Sequence, residues 1–130
     1  MPISPQIDQM LGEIQNGLRK PPEEVKLLAM TWNMARKVQT PDFAELLPNV
    51  QLYDLVVLTF QESKQRQQFV QRLDAFMESH DFKKLSDTHM WEMFIIAYTK
   101  RRNIKLINGK VNTNTKACGV GKMFGNKGAI

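Results

Sequence analysis

The chain has 130 residues, a length that supports one hydrophobic core of modest size. Hydrophobic residues make up 42% and charged residues 24%, with a formal net charge of +5. That is an ordinary globular composition with a tilt toward anionic partners: nucleic acid, phosphorylated small molecules or an acidic membrane surface.

The single cysteine, Cys118, excludes an internal disulfide framework and a Cys-rich zinc site, and makes a reducing compartment the default. No apolar run approaches the roughly 18 residues of a membrane span. Met1 to Gln6 has neither the basic start nor the apolar core of a signal peptide, so a cytoplasmic location is expected.

Ile7, Met10, Leu11, Ile14 and Leu18 recur at helical spacing and predict a short amphipathic helix over 6–19. Pro21 and Pro22 end it and form a linker, which sets residues 1–24 apart from a domain over 25–130. Val25 to Trp32 is short and almost continuously apolar, the pattern of a strand covered on both faces. Pro41 to Leu47 adds a helical turn that Pro48 stops. Leu55 to Phe60, rich in β-branched residues, is a second buried strand. Phe69, Leu73, Phe76 and Met77 then mark one face of a helix from about Ser63 to Ser79, with His80 at its C-terminal end. From Phe82 the pattern turns to strands. Met93 to Thr99 is a third apolar run, Asn108-Gly109 is a hairpin signal, and Lys116 to Val120 is a further strand. Strand, helix, then several strands predict an α/β layered fold with a mixed sheet.

The glycine-rich stretch Gly119 to Gly128 (GVGKMFGNKG) fits no nucleotide loop. A Walker A pattern counted from Gly119 or Gly121 places Phe124 or Asn126 where its second glycine belongs. A dinucleotide fingerprint fails at Phe124. Taken alone the stretch reads as a turn whose glycines supply positive φ, with Lys122 and Lys127 able to offer charge to a phosphate.

Two apolar strands run straight into polar residues: Thr31-Trp32-Asn33-Met34 and Thr59-Phe60-Gln61-Glu62. In open α/β sheets reactive groups gather just past the carboxyl ends of strands. If the strands are neighbours, Asn33 and Glu62 meet there. A carboxylate and an amide oxygen are hard ligands suited to Mg²⁺, which keeps several waters of its own. Each residue also has an ordinary reading, Asn33 as a turn residue and Glu62 as an acid at the start of the following helix.

The segments TWNM, DLVVLTFQE, MWEMFIIAY and ACGVGKMFGNKGAI occur in the order and spacing of the inositol polyphosphate 5-phosphatase catalytic domain, a member of the DNase I-like endonuclease/exonuclease/phosphatase superfamily. The chain resembles that domain from about residue 25 to residue 130, and GNKGA is the most family-specific piece. The resemblance implies a partial four-layer α/β sandwich and Mg²⁺-dependent removal of the 5-phosphate from phosphoinositides or inositol phosphates. It implies Glu62 as metal ligand, Asn33 beside metal and scissile phosphate, and Asn126 and Lys127 in a turn near the substrate. It favours peripheral contact with an acidic membrane over nucleic acid, with a superfamily nuclease or a non-catalytic binding module as alternatives. The resemblance departs from the family in length: the Asp, Asn and His-Asp motifs of the domain's second half are absent. His80 and His89 stand in the wrong places and are read as structural or surface residues. Cut before that second half, the sandwich exposes the apolar inner face of its sheet, so the isolated chain is expected to hydrolyse no phosphoinositide and to fold poorly.

Overall fold

The computed structural model describes residues 24–106, 112–118 and 127–129. In chain order these form β1 (Leu27–Asn33), a short helix α1 (Phe43–Leu46), a 3-10 turn (Val50–Leu52), β2 (Leu55–Gln61) and helix α2 (Arg66–Ser79). There follow β3 (Phe82–Met90), β4 (Met93–Lys100), a 3-10 helix (Arg101–Leu106), and the short strands β5 (Lys116–Cys118) and β6 (Lys127–Ala129). One four-stranded mixed sheet has the order β1-β2-β4-β3, and β5 and β6 pair separately. The architecture is the mixed α/β type that the pattern predicts. The expected helix over 6–19, the Asn108-Gly109 hairpin and residues 119–126 lie outside the described residues.

β1 and β2 run parallel in the register Leu27↔Leu55 to Asn33↔Gln61. Parallel neighbours need a crossover, which α1 and the 3-10 turn supply. Asp42 caps α1 by accepting the Ala44 N–H at 3.0 Å, and Phe43, Leu47 and Val50 drop into the core. β4 pairs antiparallel with β2 on one side and β3 on the other.

The core lies between this sheet and α2. Alternation turns Val56, Leu58 and Phe60 of β2, and Phe94, Ile96 and Tyr98 of β4, toward Phe69, Val70, Leu73 and Met77 of the helix. Phe60 sits at the aromatic centre. It stacks on Phe94 at 4.5 Å between centroids and meets Phe69 edge-on at 5.1 Å. Tyr98 is buried with its hydroxyl donating to Asp74 Oδ1 at 2.6 Å, so burial first, then that hydrogen bond and then the Asp74 charge push its pKa up.

Two sequence expectations are corrected. β1 is not covered on both faces: Leu28, Met30 and Trp32 pack on the core, whereas Leu27 is 53% exposed and Ala29, Thr31 and Asn33 also face outward. The helical cover described here lies on one side of the sheet, so an apolar run does not guarantee two-sided burial. α2 starts at Arg66, not Ser63, because Ser63 is held elsewhere. Its N–H and its hydroxyl both donate to the Glu92 carbonyl at 2.9 Å, and Gln65 then takes a left-handed φ of 51°.

A candidate active-site rim at the end of two parallel strands

Because β1 and β2 are parallel neighbours, their carboxyl ends share one rim. Asn33 is paired with Gln61, and Glu62 follows directly. Backbone bonds stitch the two exits together: Met34 N–H to the Gln61 carbonyl and Arg36 N–H to the Glu62 carbonyl, each at 2.8 Å. The two residues singled out in the sequence are therefore placed together by the main chain.

Asn33 Oδ1 accepts the Ala35 N–H at 2.9 Å, an Asx-type turn that fixes the amide. The turn reading of Asn33 is thus met, and it leaves a second lone pair on the same oxygen. Glu62 has a left-handed φ of 51°, is half-buried, and makes no ion pair among the described residues. That backbone breaks the strand alternation that would otherwise send its side chain to the face of Phe60. The reading of Glu62 as a helix N-terminal acid is not met. α2 begins four residues later, and the dipole acts only over the first turn.

Thr31 and Gln61 join across the outward face through their side chains, with Gln61 Nε2 donating to Thr31 Oγ1 at 3.0 Å. Five non-glycine residues with positive φ collect at the rim: Ala35, Arg36, Glu62, Gln65 and Trp91. Such conformations cost roughly 1–3 kcal/mol each and persist where surrounding contacts over-determine them.

The turn between β3 and β4 supplies those contacts. The Glu92 carbonyl takes both bonds from Ser63, and the Glu92 carboxylate bridges Arg36 Nε at 3.1 Å and Lys64 Nζ at 2.6 Å. The Lys64 bond is the main cause that holds the Glu92 carboxyl below the usual range; partial burial opposes it and Arg36 assists. Glu92, Arg36 and Lys64 carried no role in the sequence reading. The signal available was a lone acid in an otherwise apolar MWEMF, and its two partners lie far away in the chain.

Lys127 begins β6 opposite Cys118, and its side chain, like the whole of Asn126, lies outside the described residues. His80 caps α2, with Nδ1 2.9 Å from the Phe76 carbonyl, and His89 is exposed on β3. Among the described residues no helix is long and apolar enough to cross a membrane, and no group of three or more His, Cys, Asp or Glu side chains stands ready as a metal cage.

Three solved structures of Cimex nitrophorin ferrous NO complexes share this fold. One matches at 19% identity and a TM-score of 0.66, and two point mutants match at 18% identity with TM-scores of 0.67 and 0.63. Each alignment covers 81% of this chain and 41% of the nitrophorin chain, so this chain spans well under half of those proteins. No curated protein matches the chain. Residues 30–130 match the endonuclease/exonuclease/phosphatase family 2. With that match and a mixed sheet compatible with part of a DNase I-like fold, the chain belongs to endonuclease/exonuclease/phosphatase family 2.

Proposed function

We propose that the protein to which this chain belongs is a Mg²⁺-dependent phosphatase that removes the 5-phosphate from phosphoinositides or soluble inositol polyphosphates. The supporting observation is the rim, where Asn33 and Glu62 end neighbouring parallel strands and are tied by backbone bonds. The resemblance of TWNM, the Gln-Glu motif and GNKGA to the 5-phosphatases supplies the substrate class. Nitrophorin shares the fold and carries another ligand, so the reading rests on these residues and not on the architecture.

The donor set fits a hard cation. Asn33 offers an amide oxygen oriented by its Ala35 bond, and Glu62 offers a carboxylate without a competing ion pair among the described residues. Mg²⁺ bound there would supply positive charge to the phosphate oxygens and the leaving oxygen. The chain's own part is positional: the Asx turn orients the Asn33 amide, the left-handed φ of Glu62 sets where its side chain leaves the main chain, and the backbone stitches hold the two strand ends in register. Lys127 and Asn126 are assigned to the substrate side on resemblance alone.

The first test reads metal binding in this chain. Mn²⁺ should broaden the amide signals of Asn33 and Glu62, and Glu62→Gln should weaken the effect by about 100-fold or more in concentration. Broadening centred elsewhere would remove the metal assignment. The second test reads phosphate release from a soluble inositol polyphosphate, beside cleavage of duplex DNA, by the protein that contains this chain. Phosphate release with intact DNA supports the phosphatase; the reverse supports a nuclease.

A further inference from the structure

Arg36 and Lys64 flank the rim on both strand exits, yet the reading above gives them no work. Arg36 lies three residues past Asn33, and Lys64 two past Glu62. Both are turned to the same point, where each grips one oxygen of the Glu92 carboxylate: Arg36 Nε on Oε2 at 3.1 Å, Lys64 Nζ on Oε1 at 2.6 Å. Two cations sharing two oxygens of one planar anion is how a phosphate group would also be held.

We infer that Arg36 and Lys64 form an anion-binding pair for a phosphate group of the ligand, and that the Glu92 carboxylate occupies the pair until that group replaces it. The inference rests on the rim handling phosphates, but not on any hydrolysis there.

The exchange is physically cheap. The side chains of Arg36, Lys64 and Glu92 are 64%, 46% and 37% exposed, and water-facing ion pairs contribute little stability. A phosphate presents more acceptor oxygens and more charge than the carboxylate it displaces. The backbone of Glu92 need not move, since its carbonyl stays anchored by the two Ser63 bonds at 2.9 Å. Only the Glu92 side chain has to rotate. Lys64 also borders a small cleft of about 110 Å³, shared with Gln39, Thr40, Phe69 and Arg72, and Arg72 adds a further cation on that side. The other acid on the rim is Glu62, whose charge opposes metal-free phosphate and keeps its binding weak.

Titration of the 130-residue chain with inorganic phosphate, without metal and followed by NMR, tests the assignment. The signals of Arg36, Lys64 and Glu92 should shift together. Glu92→Gln, which removes the competing charge and keeps the shape, should bind phosphate on the order of tenfold tighter. Arg36→Ala combined with Lys64→Ala should abolish the shifts, with near-UV circular dichroism confirming the fold. If Glu92→Gln fails to fold, Lys64→Gln serves instead and should weaken binding. Phosphatidylcholine vesicles with and without a phosphoinositide form a second arm. Competition by the phosphoinositide vesicles assigns a lipid headgroup, and competition by soluble phosphate alone assigns a free ligand. Unchanged or weaker binding in Glu92→Gln, or shifts that survive the double alanine variant, overturns the inference. Hydrolysis is not read, so this result and the phosphatase assignment fail independently.

Discussion

Asp54 opens the DLVVLTFQE run and ties together three segments at the strand ends opposite the rim. Its N–H reaches the Lys26 carbonyl at 2.8 Å, and its carboxylate accepts the Lys26 N–H at 3.0 Å and Asn103 Nδ2 at 3.1 Å. Its carbonyl takes the Lys100 N–H at 3.0 Å. The Lys26 backbone bond, opposed by partial burial and helped by Asn103 and Arg102, lowers the carboxyl pKa. A carboxylate with a depressed folded pKa adds stability above its unfolded value, near pH 4, and that stability is lost as pH falls through the folded value. The wild-type chain should therefore lose stability below about pH 4, and Asp54→Asn should flatten that acid limb. Denaturant midpoints measured across the acid range check it; parallel acid limbs in the two proteins would remove Asp54 from the account. A strand-end acid such as Glu62 is visible in the sequence because an apolar run points at it, whereas Asp54, ahead of the same run, drew no reading. Glu92 is not visible there, because its two ion pairs join residues that only the fold brings near.

β2 carries the plainest record of what an alternating strand does. Leu58 and Phe60 are buried under α2, while Val57 and Thr59 on the other face are only half-buried. Leu58→Ala should cost about 2–5 kcal/mol because it removes contacts and leaves a cavity. Val57→Ala should cost about 1 kcal/mol, since little of its surface leaves water. Equal losses by equilibrium unfolding would mean that both faces are covered. The same strand shows why the sequence over-read burial. Val, Leu and Phe in succession announce a strand but do not say whether a second layer lies over it. α2 was legible from Phe69, Leu73, Phe76 and Met77, whose spacing fits a helix alone. Its first turn was not, because Ser63 gives its donors to Glu92 and not to the helix.

Among the described residues, helix α2 covers one side of the four-stranded sheet and no helix covers the other. On that other side Leu27, Ala29, Leu55, Val57, Ile95 and Ala97 form an apolar field that is half-buried or exposed. A surface of this kind attracts hydrophobic dyes and other copies of itself. The chain should enhance ANS fluorescence at neutral pH while keeping its near-UV circular dichroism, and Val57→Thr with Ile95→Thr should cut the enhancement by more than half. No dye response from the wild type would show the field to be covered. The α/β class and the meeting of strand ends at Asn33 and Glu62 follow from patterns in the sequence. That the described helical cover is one-sided is a matter of tertiary packing, which no local pattern encodes.

The two borders of the four-stranded sheet differ in a way that bears on assembly. β3 carries Lys83 and Lys84 and a register shift between Lys84 and Ser86, features that repel an added backbone. β1 pairs regularly with β2 over its whole length and has no second neighbour among the described residues. Among the described residues the β1 flank therefore carries none of the charge or irregularity that guards the β3 flank, so an added strand would meet less resistance there.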